Sequence, residues 1–163
     1  MPRTTFETLP PESRLWIFAA ERELTARERD YVLGTVDAFL DRWQAHGHPL
    51  TSARDLRYSR FLLIAVDEAA AGASGCSIDA LVRDIKAVEA ALGLALVDHG
   101  PVLYRAGEAI ARVPRDAFSD LVRAGAVTPQ TIVFNNTLTR VADVRAGRWE
   151  VPAAQSWHAA AFF

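Results

Sequence analysis

The chain has 163 residues, half of them hydrophobic and 23% charged, with a formal net charge of −2. That is enough chain to bury a core without staples, and it carries no basic surplus to neutralise a phosphate backbone, so nucleic acid is not an expected partner. The single cysteine excludes an internal disulfide and any multi-cysteine metal site.

Residues 1–13, with Pro10 and Pro11, read as an irregular arm without the apolar run of a secretory signal. The longest apolar run, FLLIAV at 61–66, is far short of the ~20 residues a membrane span needs, so membrane insertion is not expected and the cytoplasm is the expected location. RLWIFAA (14–20) reads as a buried strand. Thr25 and Glu28 have the spacing of a capping box, and Val32, Val36, Phe39, Leu40 and Trp43 follow at helical spacing. They predict an amphipathic helix that Gly47 and Pro49 stop.

PLTSARDL and RFLLIAVDE read as two strands joined by a tight turn at Tyr58–Ser59, although no glycine stands there. AAAGASG (69–75) is a small-residue loop, and a second helix is expected with Ser77 as its N-cap. Its apolar face is Ile78, Leu81, Val82, Ile85, Val88 and Leu92, and Gly93 ends it. LALVDHGPVLYR reads as a fourth strand bent at HGP. The order β-α-β-β-α-β predicts an α+β fold with a ferredoxin-like unit over 12–106, an antiparallel sheet with two helices on one face.

Residues 107–163 are expected to pack on that unit as a C-terminal α/β extension, making one domain of 1–163. GEAIARV reads as a strand, PRDAFSDLVRAG as a short helix between Pro114 and Gly125, and TIVFNNTLTRV as a strand or hairpin bent at Asn135–Asn136. The tail from Arg148 holds Trp149, Trp157, Phe162 and Phe163 and is expected to dock. The second sheet face needs a cover, either this C-terminal third or a second copy in a homodimer.

The candidate site centres on GASGCSID. Cys76, one residue before the expected cap Ser77, would stand where free N–H groups and the helix dipole favour a thiolate, with Asp79 opposing it. Read without the sulfur, Ser74, Gly75, Cys76 and Ser77 offer N–H groups and hydroxyls to an anion. The plainer reading is capping by Ser77 and a small residue tightening a corner. His46 is the candidate base for Cys76 if the fold joins them; otherwise His46 and His48 complement a helix C-terminus. Two histidines two residues apart lack the further ligands zinc needs, so no metal and no cofactor are expected. Tyr58 and Arg60 flank the third strand as ligand-binding candidates. Asn135 and Asn136 either satisfy a bend, as Asx turns do, or face a ligand.

LPPESRLWIF, WQAHG, YSRFLLIAVDE, SGCSID, TIVFNNTLT and WEVPAAQSWH together resemble, end to end, a family of small bacterial proteins commonly labelled "ABC transporter ATPase". The resemblance implies a link to a transport system. ATP hydrolysis of that kind would need a Gly-rich phosphate loop followed by Lys and Ser/Thr. The chain has no such motif, and its one lysine, Lys86, lies between Ile85 and Ala87 in a helix pattern. The expectation is therefore a non-catalytic module binding a small ligand or a protein partner. The alternatives are an enzyme using Ser74–Asp79 with Cys76 as nucleophile, and a transporter accessory without ATPase activity.

Overall fold

The computed structural model describes residues 3–69 and 71–163. Met1 and Pro2 of the arm and Ala70 of the small-residue loop lie outside the described residues. The fold is α+β, as expected, and divides into two compact units: Met1–Val97 with Thr139–Ala142, and Asp98–Leu138 with Asp143–Phe163.

In the first unit the chain forms β1 (Arg14–Ala19), α1 (Ala26–Arg42), β2 (Gln44–Ala45), β3 (His48–Pro49), β4 (Thr51–Arg57), β5 (Phe61–Asp67) and α2 (Gly75–Leu92). Thr25 caps α1 in a full capping box: its hydroxyl accepts from the Glu28 N–H at 3.2 Å, and the Glu28 carboxylate accepts from the Thr25 N–H at 2.9 Å. Arg22 clamps the same carboxylate with two bonds and, with the Thr25 N–H, holds its pKa down to about 2.

The main sheet is antiparallel in the order β1–β5–β4. Its registers put Trp16 beside Ile64 and Arg54, and Phe18 beside Leu62 and Leu56, on one face. The helices bury that face: Val32, Val36, Phe39 and Leu40 of α1 and Leu81, Ile85 and Val88 of α2 share a core with Phe18, Leu62, Ile64 and Val66. Leu15, Ile17, Phe61, Leu63 and Ala65, on the other face, are buried too. The N-terminal arm covers part of this face, with Phe6 of the 3₁₀ turn Phe6–Thr8 under the Arg57 guanidinium at 5.8 Å.

Tyr58 and Ser59 do form the β4–β5 turn, closed by the Arg60 N–H on the Arg57 carbonyl at 3.0 Å. Both take left-handed φ, 54° and 50°, the backbone that tight hairpin turns need. Such strain costs of order 1–3 kcal/mol per residue and persists only where packing dictates it. Here the Ser59 carbonyl accepts the Leu24 N–H at 2.8 Å, and the Tyr58 ring lies edge-on to Phe61.

Three expectations change. The first helix ends at Arg42, not at Gly47, because His46 and Gly47, at φ 52° and 78°, turn a short hairpin that pairs Ala45 with His48. The second helix starts at Gly75 with Ser74, not Ser77, as N-cap. The expected fourth strand does not join the main sheet, so the strand order is not that of a simple ferredoxin-like fold. Residues 139–141 flank β1 instead: the Leu15 N–H bonds to the Thr139 carbonyl at 2.9 Å, the Val141 N–H bonds to the Ser13 carbonyl at 3.0 Å, and Arg14 opposes Arg140 antiparallel.

The second unit contains β6 (Val102–Ala106), β7 (Ala109–Val113), α3 (Arg115–Arg123), β8 (Ile132–Phe134), β9 (Glu150–Pro152) and α5 (His158–Phe162); α4 (Val141–Arg145) lies between β8 and β9 in the chain. Its sheet runs β7–β6–β8–β9, and β6 finds its hairpin partner β7 across a turn in which Gly107 takes φ 66°. Its core gathers Val102, Phe118, Val127, Val133 and Ala153. The tail docks within this unit: Trp149 packs on Phe134 at 5.1 Å and Phe162 meets Phe118 edge-on at 4.9 Å. No helix among the described residues is long and apolar enough to cross a membrane.

Candidate functional site

Antiparallel pairing sets where the candidate residues stand. The start of β4 lies beside the end of β5, where α2 begins; the β4–β5 turn closes the opposite end of the sheet. Seven strand residues separate the two ends by roughly 20 Å. Ser74–Asp79 therefore stands at one end, Tyr58 and Arg60 stand at the other, and Asn135 and Asn136 belong to the second unit.

The Ser-rich loop is bonded to itself. The Ser74 hydroxyl accepts the Ser77 N–H at 3.2 Å, and the Ser77 hydroxyl accepts the Ser74 N–H at 2.7 Å while donating to the Ser74 carbonyl at 2.8 Å. Ser77 is buried, and its carbonyl accepts the Trp43 indole N–H at 2.9 Å. That bond ties the His46 hairpin to the start of α2. Cys76 is the second residue of α2, not a residue ahead of it, and its thiol is exposed instead of packed in a corner. Gly75, Asp79, His46 and His48 are exposed as well. No hydrogen bond joins His46 to Cys76 among the described residues, and no three His, Cys, Asp or Glu side chains there gather as a metal would need.

Arg60 is a brace. It is 7% exposed, its Nε donates to the Ala20 carbonyl at 3.0 Å, and its Nη2 donates to the Glu21 carbonyl at 2.7 Å. A guanidinium spent on the chain end that follows β1 does not point at a ligand. Tyr58 is exposed in its turn. The asparagines form the bend: the Asn135 side-chain carbonyl accepts the Thr137 N–H at 3.1 Å, and that of Asn136 accepts the Trp149 indole N–H at 2.9 Å.

A different place has the shape of a site. β4 is an edge strand, and two hollows flank its middle. One, of about 220 Å³, is lined by Arg3–Glu7, Arg54 and Asp55. The other, of about 390 Å³, lies between β4 and α1 and is lined by Arg29, Asp30, Leu33, Arg54, Asp55, Leu56 and Ser59. Their shared wall is electrostatically fixed. Arg54 grips Asp37 of α1 with two bonds of 2.8 and 2.9 Å, and Arg3 reaches Asp37 at 3.1 Å and Asp41 at 2.8 Å. The hydrogen bonds from Arg54, aided by the Arg54 and Arg3 charges, lower the Asp37 pKa despite its partial burial. Asp55 accepts the Leu56 N–H and the Arg57 Nε, each at 2.9 Å.

Sequence reasoning missed this groove. Its signal is SARDLR, a run that places Arg, Asp and Arg on a strand next to the wholly apolar FLLIAV. Charges on one of two paired strands mark that strand as the edge. No family model, no curated protein and no solved structure matches this chain.

Proposed function

We propose that this chain is a non-catalytic binding module of the bacterial cytoplasm, and that the groove between α1 and the outer edge of β4 takes its small ligand or protein partner. The observation that carries this reading is the hollow of about 390 Å³ beside Arg54–Leu56, on an edge whose wall is clamped by the two Arg54–Asp37 hydrogen bonds. Pockets of this size suit a small molecule or a few residues of peptide. If the partner belongs to a transport system, as the family resemblance implies, the protein acts as an accessory and not as the motor, since it has no phosphate loop.

The test is an NMR titration of the intact chain with a pooled fragment and peptide library. Shifts should concentrate at Leu33, Arg54–Leu56 and Ser59. Shifts confined to 74–79, or scattered over both units, would sink the reading. The exposure of Cys76 favours one second reading, an enzyme using the Ser74–Asp79 segment with Cys76 as nucleophile. Alkylation rate against pH, native against denatured, decides it: a native thiol with a markedly lower apparent pKa supports the nucleophile, and an unchanged one removes it.

A further inference from the structure

We infer that the occupant of the α1–β4 groove is an extended segment of another protein, carrying an acidic side chain, that adds to the outer edge of β4 as a further strand. This rests on the binding reading above and names the partner class for the same site.

The backbone of β4 supplies the first argument. Residues whose side chains share a strand face direct their N–H and C=O groups to the same lateral edge. The Ser52 carbonyl faces outward, because it accepts the Thr4 N–H at 2.7 Å from the arm. Arg54 and Leu56 alternate with Ser52 and so present their main-chain groups outward as well. Asp55 engages the Leu56 N–H; the Arg54 N–H and C=O and the Leu56 C=O have no partner among the described residues. The arm shows that this edge accepts an added strand: Arg3 pairs with Ser52 in parallel, and the chain then leaves the edge for the 3₁₀ turn at Phe6. The bonding positions next in line are the ones that border the larger hollow.

The charges supply the second argument. Within that hollow Arg54 is committed to Asp37, and Asp55 to Arg57 and its neighbour's N–H. The Arg29 guanidinium donates to the Ser59 hydroxyl at 3.3 Å and has no carboxylate partner among the described residues. A guanidinium beside a hydroxyl at the turn end of the groove matches a carboxylate. Asp30 lines the same hollow but lies about 100° around the helix from Arg29, so it opposes the acid without blocking it. Leu33 and Leu56 offer an apolar seat for a neighbouring side chain.

A second copy fits less well. The two-fold antiparallel register that uses both residues sets Arg54 against Leu56 of the other copy, and then Asp55 stands directly opposite its own equivalent with Cα atoms about 4.5 Å apart, like charge opposite like. Centring the two-fold on Arg54 runs into the arm at Ser52, and centring it on Leu56 runs past the end of the strand at Tyr58.

The test pans a phage-displayed library of random dodecapeptides against the full chain and carries the enriched peptides into hydrogen exchange and affinity measurement. The inference expects peptides that share an acidic residue, slow exchange at the Arg54 amide, bind Arg29→Ala about 10-fold more weakly and bind Asp30→Asn about two-fold more tightly. Arg29 and Asp30 are exposed, and circular dichroism checks that both variants fold. Peptides that leave Arg54 unprotected, or that bind Arg29→Ala as well as the parent, overturn it. So does a free chain that dimerises with Arg54 protected, since the occupant is then a second copy. Small fragments seated in the groove with no peptide enriched overturn this inference and leave the binding reading standing; no ligand of either kind in the groove removes both.

Discussion

His158 is the residue whose surroundings make the sharpest statement about solution behaviour. It is 1% exposed, its ring is stacked on Trp157 at 3.9 Å, and its Nδ1 shares a hydrogen bond with the Ser156 hydroxyl at 2.8 Å. Burial, aided by the Arg115 charge, lowers its pKa from 6.5 to about 4. The unfolded chain therefore binds a proton between these values that the folded chain refuses. Stability is full above pH 6.5 and falls as pH drops toward 4, by up to about 3 kcal/mol. His158→Gln should flatten that slope in urea unfolding of the second unit between pH 4 and 6.5, whatever it does to stability at pH 8. An NMR titration in which the His158 ring protonates near its ordinary value would contradict this.

At the scale of elements, α1 contains a glycine with no visible use. Gly34 sits in the middle of the helix, exposed, and a Cβ built there meets nothing within 4 Å. A mid-helix glycine costs about 0.5–1 kcal/mol relative to alanine, through its greater freedom in the unfolded chain. Gly34→Ala should therefore raise the midpoint of thermal unfolding without altering any contact of the core; a lowered midpoint would mean that the backbone there is strained or already approached by something. Elements of this kind were readable in the sequence because their signals are local. The Thr25–Glu28 box, the apolar spacing of α1 and α2, the tight turn at Tyr58–Ser59 between two strands and the Asx turn at Asn135 each lie within a few residues. The errors arose where two local signals compete. Gly47 is as good a stop for a helix as a corner for a hairpin, and the choice went to the hairpin because Leu50 returns to bond the Trp43 carbonyl at 3.0 Å. Ser74 and Ser77 are both good caps, and the box between them decides in favour of the first. The groove was harder still, since Arg29, Asp37 and Arg54 come together only through the packing of α1 on β4.

At the scale of the whole molecule, the division into units does not follow the order of the chain. The first 97 residues cannot complete their own sheet edge: β1 is flanked by residues 139–141, which arrive after the chain has built β6, β7, α3 and β8. Pairing at that separation is specified by no local pattern, whereas the apolar run at 94–105 reads locally as a fourth strand. The pairing carries a consequence for cooperativity. The Leu15 N–H bonded to Thr139 and the Val141 N–H bonded to Ser13 are buried with Leu15, Ser13 and Val141, none of which is more than 2% exposed. Amides in such positions open with the structure that buries them. Native-state hydrogen exchange should therefore give Leu15 and Val141 the same opening free energy as Leu62 and Ile64 at the centre of the first sheet. Exchange of Val141 at the rate of the neighbouring loop, with Leu15 still protected, would show that 139–141 detaches by itself and that the first unit holds its sheet without it. Equal protection would show that 139–141 opens only together with the sheet of the first unit.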